Sequence, residues 1–468
     1  MSTLTSSRPL IVPPVPEPPR EELPVRTLLA AFRTNALAAW PRRAYEDAIL
    51  ERRLLGRASC LLNDASAIRR VLVDNDANYA RTPASIRILR PIVGDGVLLA
   101  YGEAWRRQRR TLAPAFTPRT LPMLARHVAV ATGAALNRLG SMAAAGAGID
   151  LLGVMQALAL DIAGRSMFSL ETDRFGPALR GMMVRYNRRL ARPHPSDFLF
   201  PLWLPNIWDL LRRRFRLEWM ALIDGIVAER RRAGRAERPR DLFDLMEQAR
   251  DPQTGAGFTP TQLRDQVATL IMAGHETTAL TLFWACWLLT QAPEAQERVA
   301  AEAQALDPAP EDAPETAHDA LARLPFTRAV VDETLRLYPP AYMIVRLSLG
   351  EDDLGPVRVP AGALVAIAPW TLHRHRRLWS EPDAFEPGRF LPGAPPPDRF
   401  AFLPFGAGPR VCVGAQFALT EAVLVLASLF RRFRVALPPG ARPVLPVAIV
   451  TTQPDHAPSF RVTLRRWP

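Results

Sequence analysis

A cysteine in a glycine-rich loop has the clearest capacity for chemistry in this sequence. Cys412 follows Gly406 and Gly408 in the loop 405–414, and an apolar helical run comes directly after it at 415–430. Glycines permit a tight turn and a close approach of the backbone to a flat ligand. Free N–H groups at a helix start stabilise a thiolate, and a thiolate is a strong electron donor to iron. A free cysteine in such a turn is also often a plain core residue, so both interpretations stand at this point.

A second group of reactive residue types interrupts the longest apolar stretch, 268–289, which we interpret as a buried helix. Thr259 and Gln262 predict a capping box at the start of a helix over 260–291, and Pro293 ends it. The segment 273–278 reads Ala-Gly-His-Glu-Thr-Thr. A glycine inside a helix costs about 1 kcal/mol. Polar groups in such a place serve either a packing kink or a functional site.

A third pattern is a charged pair on a predicted helix. Glu333 and Arg336 are three residues apart, which places them on one helix face, and the prolines at 339–340 end that helix. Most pairs of this kind are solvated surface ion pairs. The apolar neighbours of this pair favour burial instead.

These three segments resemble motifs of the cytochrome P-450 superfamily. The loop 405–414 matches the haem-binding signature Phe-x-x-Gly-x-Arg-x-Cys-x-Gly at each specified position. The segment 273–278 is similar to the oxygen-binding motif [Ala/Gly]-Gly-x-[Asp/Glu]-Thr-[Thr/Ser], and 333–336 looks like the Glu-x-x-Arg helix. Residues 385–390 are similar to the Pro-Glu-Arg-Phe element, although Gly388 stands where Glu is common. The resemblance extends from about Val25 to the C-terminus.

The resemblance implies haem b with an axial Cys thiolate as the cofactor. The haem contacts that it implies are Cys412 as the metal ligand, Phe405 beside the sulfur, Gly408 and Gly414 close to the ring, and Arg410, Trp105, Arg109 and Arg346 at the propionates. Arginine suits carboxylates because it forms paired hydrogen bonds with them.

The resemblance also implies a proton relay and a buried network. Protons for dioxygen need a path in a site that excludes water. The relay residues that it implies are Thr277 as the hydroxyl and Glu276 as the acid that supplies it, with Ala273 and Gly274 leaving room for oxygen and substrate. Glu333, Arg336 and Arg389 would form a buried network that holds the Cys412 loop. We expect His275 to be a packing or solvent-side residue, since the relay already has its acid and alcohol.

The predicted activity is that of a haem-thiolate monooxygenase. It would use dioxygen and two externally supplied electrons to hydroxylate or epoxidise an apolar small molecule, such as a fatty acid or terpenoid. A hydrogen-peroxide-dependent peroxygenase and a non-enzymatic haem-binding protein are the alternatives, and the Glu276–Thr277 pair argues against both. The segments 81–101 and 167–216 would form variable loops over an apolar pocket. Aromatic residues at 198–208 beside arginines at 212–214 would allow a membrane contact that is at most peripheral.

The elements predict a mainly α-helical fold with a small β region (α+β). We expect a roughly triangular helical body with haem between the long central helix and the Cys-bearing helix. Helical periodicity dominates to residue 300, and short strands are predicted at 342–349 and 357–367. A proline-rich tail, 1–24, precedes a single haem domain, 25–468, in this interpretation.

The positive charge of the chain suggests a negatively charged binding partner. The 468 residues carry a formal net charge of +13, and every basic side chain other than histidine is arginine, which suggests a GC-rich bacterial genome. No flavin segment follows the Cys412 helix, so we expect a separate ferredoxin with its reductase, or a flavodoxin, as electron donor. Arg106, Arg107 and Arg110 would border its docking face or form a solvated helix face. No nucleic-acid motif is present.

The expected location is the cytoplasm, because the three cysteines do not suggest a disulfide framework and no signal peptide is evident. The basic cluster at 373–375 is expected at the surface.

Overall fold

The fold was analysed in a computed structural model that describes residues 10–54, 56–146, 148–169, 175–232, 234 and 237–467. The helices are α1 (Val25–Thr34), α2 (Ala65–Arg69), α3 (Pro83–Val93), α4 (Gly102–Leu112), α5 (Leu121–Ala144), α6 (Leu151–Phe168), α7 (Gly176–Arg185), α8 (Pro195–Leu199), α9 (Ile207–Arg232), α10 (Leu242–Gln248), α11 (Pro260–Gln291), α12 (Pro293–Gln304), α13 (Pro325–Leu337), α14 (Pro369–Leu372) and α15 (Ala415–Arg432). The strands are β1 (Ile49–Leu54), β2 (Arg57–Leu62), β3 (Tyr79–Ala80), β4 (Ile149–Asp150), β5 (Ile344–Ser348), β6 (Asp352–Leu354), β7 (Val357–Val359), β8 (Leu364–Ile367), β9 (Phe433–Ala436), β10 (Pro446–Ala448), β11 (Thr452–Pro454) and β12 (Ser459–Leu464). The predicted mainly α-helical fold with a small β region is confirmed.

The long helix α11 organises the main hydrophobic core. It begins and ends where the sequence predicts, and Thr259 and Gln262 form the expected capping box. Helices α6, α13 and α15 pack against it, and α5 and α12 extend the same layer. Because α11 is buried along most of its length, residues 268–289 are a core helix, as predicted.

Helix α6 has the composition of a membrane-spanning segment. Within the described residues it is the one helix of sufficient length and mean hydropathy (1.3), and 56% of its residues are buried. It packs against α5 and α11, which is the environment of a core helix.

The largest sheet joins distant parts of the chain. Its strand order is β1-β2-β8-β5-β3, with β2 and β8 parallel and the other pairs antiparallel. The two strands predicted after residue 340 are present within 342–349 and 357–367. Helical structure dominates 25–300, as predicted, but the sequence did not reveal β1 and β2, because the charged residues 51–53 hide the strand pattern and β8, the partner of β2, is about 300 residues away.

The proline-rich segment before α1 follows the surface of the body. The N–H of Phe385 donates a hydrogen bond to the carbonyl of Ile11 at 2.8 Å, and the two residues form an antiparallel bridge. Pro13 is buried, and residues 1–9 of the predicted tail lie outside the described residues. The boundary between a tail and a haem domain at residue 25 stays a prediction.

The segments predicted as variable loops contain much helix. Residues 83–93 form α3, which starts at the cap Thr82, whose hydroxyl accepts a hydrogen bond from the N–H of Ser85 at 3.2 Å. The second segment contains α7, α8 and the start of α9. Its residues 170–174 lie outside the described part of the chain.

Candidate functional site

The Cys412 loop requires glycine at two positions. The N–H of Cys412 donates to the carbonyl of Phe405 at 2.9 Å, which closes the loop. Gly406 and Gly408 both have φ of 73°, a left-handed conformation that favours glycine. A Cβ atom at Gly408 would lie 1.9 Å from the carbonyl oxygen of Leu72. The loop therefore sits directly on the residues that follow α2, and no larger side chain fits at Gly408.

Cys412 lies in the loop, three residues before α15, rather than in its first turn. The N–H of Gly414 donates to the thiol and the Arg109 guanidinium is near, and both lower the thiol pKa. Burial has the larger effect and raises the pKa of Cys412. The side chain nevertheless has accessible surface, whereas Cys60 and Cys286 are buried. Cys412 is therefore enclosed by protein but faces a cleft, which separates it from the two core cysteines.

Three arginines meet beside this cleft. Arg346 is 8% exposed, and Arg81 has a buried Nε without a hydrogen-bond partner. Burial, followed by repulsion from the other arginines, lowers the pKa of Arg81 to about 9. Burial and repulsion from Arg410 likewise lower the pKa of Arg346 to about 10. Like charges buried together are unfavourable unless anions balance them, so a ligand with two carboxylates, such as haem, fits this cluster.

Helix α4 supplies two more residues to the same cleft. The Trp105 ring lies under the Arg410 guanidinium, with 4.4 Å between the Arg410 Cζ and the ring centroid. Nη1 of Arg410 donates to the carbonyl of Ala100 at 3.2 Å. One turn later, Arg109 lies close enough to Cys412 for their charges to interact. Trp105, Arg109 and Arg410 therefore lie in the same region as Cys412.

Arg81 is the haem-site candidate that sequence reasoning missed. It stands outside every motif that the sequence resembles, in the bend between β3 and the cap of α3. The only sequence feature that pointed to Arg81 was its position at the start of the segment 81–101, which we predicted to form a loop over the substrate pocket. The spatial meeting with Arg346 and Arg410 depends on β3 pairing with β5, which sequence alone did not predict.

The middle of α11 is more accessible than the rest of the helix. Gly274 is exposed and Ala273 and Thr277 are half-buried, although most of the surrounding helix is buried. The Thr277 hydroxyl donates to the carbonyl of Ala273 at 2.6 Å, and the Thr281 hydroxyl donates to the carbonyl of Thr277 at 2.9 Å. The oxygen of Thr277 keeps its lone pairs for a further hydrogen bond.

Glu276 points away from the cleft into a set of neutral donors. Its Oε1 accepts hydrogen bonds from the Thr451 hydroxyl at 2.9 Å and from Nε2 of Gln453 at 2.6 Å. Its Oε2 accepts from Nδ2 of Asn187 at 3.1 Å. The carboxylate is thus buried and held without an arginine. Asn187 and Gln453 are half-buried, so this network extends towards the surface.

His275 packs between α11 and α6. Its Nε2 lies 3.0 Å from the carbonyl of Gln156, and the residue is 4% exposed. Burial lowers the pKa of His275 to about 4, so the ring is neutral and Nε2 is the donor. The packing role expected for His275 fits this environment.

A buried acid on α15 contacts the same part of α11. Glu421 is 3% exposed, and Oε1 of its carboxyl has no hydrogen-bond partner. Burial raises the pKa of Glu421 well above its usual range, and a hydrogen bond with Thr278 opposes this shift only in part. Glu421 therefore keeps its proton to a higher pH in the folded protein than in the unfolded chain. Sequence reasoning missed it because an acid in an apolar helix gave no sign of its partner.

The Glu333–Arg336 pair is buried, not solvated. The two side chains have no exposed surface, and Arg336 binds the carboxylate through Nε at 2.7 Å and Nη2 at 2.8 Å. Nη1 of Arg336 donates to the carbonyls of His373 and Pro382 at 2.8 and 2.6 Å. Nε of Arg389 lies 3.5 Å from Oε1 of Glu333. The three predicted members of the network are therefore brought together despite Gly388.

His373 connects this network to the Cys412 loop. Its Nε2 accepts a hydrogen bond from the N–H of Leu403 at 2.8 Å, two residues before Phe405. Burial, with nearby Arg336 and Arg374, lowers the pKa of His373 to about 3, which keeps Nε2 available as an acceptor.

The surface position expected for the cluster 373–375 was wrong. His373, Arg374 and His375 are at most 2% exposed. The Arg374 guanidinium lies on the Trp370 ring, with 3.7 Å between Cζ and the centroid. A cation over an aromatic face is stabilised electrostatically inside the protein. The basic residues 373–375 alone do not indicate such a partner in the sequence.

Comparisons with known proteins assign the chain to one family. The family model described as Cytochrome P450 matches residues 18–456. The chain is 34% identical over 358 residues to a cyclooctat-9-en-7-ol 5-monooxygenase of Streptomyces melanosporofaciens, covering 75% of each chain. It is 30% identical over 423 residues to a pentalenene oxygenase of Streptomyces avermitilis, covering 88% of this chain and 89% of the relative.

The fold comparison agrees. The crystal structure of a haem domain with 25% sequence identity superposes with a TM-score of 0.77, covering 97% of this chain and 99% of that structure.

A pH-dependent stability difference is expected for Glu421→Gln. Because the folded pKa is raised, unfolding releases a proton, and stability falls by about 1.4 kcal/mol per pH unit above the unfolded pKa, up to the folded one. Glutamine has the same shape and does not ionise. The thermal stability of the variant should therefore increase relative to that of the native protein as pH rises from 5 to 8. Exposed Glu21→Gln is the control, and parallel pH profiles for native protein and Glu421→Gln would contradict the assignment.

Proposed function

This chain belongs to the cytochrome P-450 family, and from that premise we propose that Cys412 is the axial ligand of its haem. The family uses haem with an axial cysteine thiolate, and this protein is a monooxygenase that needs dioxygen, an apolar substrate and a redox partner. The observation that carries the proposal is the position of Cys412. It is enclosed by protein yet faces the cleft, while Cys60 and Cys286 lie in the core.

The residues that would hold the haem follow from the cleft. Phe405, Gly408 and Gly414 shape the loop around the sulfur, and the glycines let the backbone approach a flat ring. Arg346, Arg410 and the additional Arg81 would bind the propionates, while Trp105 holds the Arg410 guanidinium in place. Arg109 would contribute to propionate binding, and its positive charge would also act on the Cys412 sulfur.

Bound haem supplies the oxidising chemistry that inserts one oxygen atom into the substrate while the other leaves as water. The chain supplies the protons. Glu276 takes protons from solvent on the half-buried side of α11, where the amides of Asn187 and Gln453 hold its carboxyl group in place. Thr277 stands next in sequence and faces the cleft, where its oxygen accepts one proton and donates another. Ala273 and Gly274 keep that part of the wall free of bulk.

The substrate is a small apolar molecule, and we place it with the terpenoids rather than the fatty acids. Apolar side chains from α3 and the following turn, including Ile88, Leu89 and Leu98, join Met272 of α11 in one hydrophobic cluster. The names of the two Streptomyces relatives describe oxygenation of a cyclic alkenol and of an alkene. Hydroxylation or epoxidation of a similar molecule is the proposed reaction.

A ferredoxin is the proposed electron donor, in a cytoplasmic setting. Helix α4 runs beside Cys412, and Arg106 and Arg107 lie on it; the Arg106 side chain is 55% exposed. Arg110 is instead held by Asp251 at 2.9 Å and by Glu103 at 3.0 Å. Arg106 also lies 3.5 Å from Glu103 and Arg107 is half-buried, so it is the net positive charge of α4 that offers an acidic protein a docking face close to Cys412.

Replacing Cys412 by serine should abolish the thiolate-ligated spectrum of the reduced, carbon-monoxide-bound protein, because serine does not supply the sulfur donor. Cys286→Ala, in the core, should keep that spectrum. Retention of the normal spectrum in Cys412→Ser would refute the assignment, and absence of haem from carefully purified native protein would refute the function itself.

Thr277→Ala should uncouple electron consumption from product formation, because the cleft loses its proton donor. Product formed per electron pair should fall on the order of tenfold, with hydrogen peroxide released instead. The matched control is Thr281→Ala, which removes the same type of hydroxyl-to-carbonyl hydrogen bond one turn later. If both variants stay coupled, the relay role of Thr277 is wrong.

Reduction of the haem by a ferredoxin should slow as salt is raised, since screening acts over about 10 Å at 0.1 M ionic strength. The double variant Arg106→Ser/Arg107→Ser should reduce both the rate and its dependence on salt. Arg53→Ser/Arg57→Ser, at exposed positions of the β1–β2 hairpin, removes the same charge elsewhere. A rate that ignores ionic strength would count against this docking face.

A further inference from the structure

Asp352 is a buried carboxylate that binds three other side chains. It lies on β6 and is 8% exposed. Its Oδ1 accepts a hydrogen bond from Nη2 of Arg70 at 2.9 Å. Its Oδ2 accepts from Nδ2 of Asn75 and from the Tyr79 hydroxyl, both at 2.9 Å. The N–H of Asp353 donates to Oδ1 at 3.1 Å, so both carboxylate oxygens are engaged more than once.

The three side chains belong to one short stretch, residues 70–81, which runs from the end of α2 to the cap of α3; we call it the 70–81 segment. Its strand β3 pairs with β5. The carbonyl of Asn78 accepts a hydrogen bond from the N–H of Leu349 at 2.8 Å, and Oδ1 of Asn78 accepts from the N–H of Gly350 at 2.7 Å. Asp352 and the chain before it therefore hold the segment at its start, its middle and its end.

The 70–81 segment supports the Cys412 loop from below. A Cβ atom at Gly408 would lie 1.9 Å from the carbonyl oxygen of Leu72, so the loop backbone rests directly on that residue. The contact lies between two of the positions that bind Asp352. The carboxylate thus fixes the surface on which the loop is built.

The end of the same segment reaches the arginines beside the cleft. Arg81 comes two residues after Tyr79, and its buried Nε has no hydrogen-bond partner. Burial lowers the pKa of Arg346 and of Arg410, and the nearby carboxylate of Asp76 opposes that shift. Because no hydrogen bond fixes the Nε of Arg81, the backbone that carries Arg81 decides where its charge lies.

We propose that Asp352 is a positioning residue for the haem site. By holding the 70–81 segment, it keeps the charge of Arg81 close to the propionates. It also keeps the Leu72 carbonyl against the Cys412 loop. The inference rests on the proposed function, because the propionates belong to the haem that this loop would bind.

An amide of the same shape does not replace this carboxylate. Burial raises the pKa of Asp352, but the hydrogen bonds from Arg70, Asn75 and Tyr79 outweigh that effect, and the pKa is lowered overall. The group is therefore ionised at neutral pH and has two acceptor oxygens. Asparagine has one acceptor oxygen and one NH2 donor, so it would set a donor against a buried donor and weaken the hold on the segment.

Redox titration of the full-length haem protein and its Asp352→Asn variant tests the proposal. Loss of a negative charge would by itself raise the midpoint potential of the haem iron, because reduction adds an electron. We expect a lower potential instead, because the charge of Arg81 is held less closely to the propionates. Haem transfer to excess apomyoglobin should become faster by roughly tenfold, about the contribution of one hydrogen bond to a charged group.

Two further variants follow the route from Asp352 to the haem. Tyr79→Phe keeps the ring and loses one donor, so it should change the potential and the haem transfer in the same directions by a smaller amount. Arg81→Gln should also lower the potential. In the Asp352→Asn background it should add little, because both substitutions act on the same charge. Full additivity of the two would contradict the route through Arg81.

The matched control is Asp353→Asn, at the exposed neighbour on β6, which removes the same charge. The carbon-monoxide spectrum of each variant checks that its haem is thiolate-ligated. The proposal is overturned if Asp352→Asn unfolds at a lower temperature but has the potential and the haem transfer rate of the control, since Asp352 is then a structural contact alone. If the native protein binds no haem, it is the proposed function that fails.

Discussion

The buried ion pair between Glu333 and Arg336 is the contact on which the candidate site depends. Two charges without exposure are stable only when their remaining hydrogen-bonding groups are also satisfied. Arg336 meets this condition by donating to backbone carbonyls at positions 373, 382 and 384, all from the chain that leads to the Cys412 loop. Removing one partner of such a pair typically costs about 3–5 kcal/mol. The pair therefore fixes the path of this chain rather than taking part in chemistry.

A series of hydrogen bonds connects that pair to the Cys412 loop. His373 accepts from the N–H of Leu403, and Phe405 accepts from the N–H of Cys412. Each contact involves a backbone group, so the fold of the loop sets the position of the Cys412 backbone, from which the sulfur projects. Helix α11 is continuous, and its polar residues have different surroundings. Thr277 is half-buried, whereas Glu276 accepts hydrogen bonds from Asn187, Thr451 and Gln453.

Much of the fold was predictable, and the exceptions have physical causes. Helix α11 was predicted with both of its ends because its cap, its proline and its apolar run are all local signals. Strands β1 and β2 were missed because β1 pairs only with β2, and β2 joins the rest of the sheet by pairing with β8, far away in sequence. His373 and Arg374 were taken for surface residues because basic letters ordinarily mark the surface, while Trp370 and Arg336 surround them in the core.

By itself, the sequence determined the residue types and the local order of the site: the loop around Cys412, the Ala-Gly-x-Glu-Thr-Thr segment and the Glu-x-x-Arg helix. Such motifs are legible because chemistry needs particular groups at short, regular spacings. The tertiary structure alone decided that Arg81 joins Arg346 and Arg410, and that Glu421 is buried beside Thr278 with its pKa raised. These properties arise from burial and from contacts between distant segments, which no local spacing encodes.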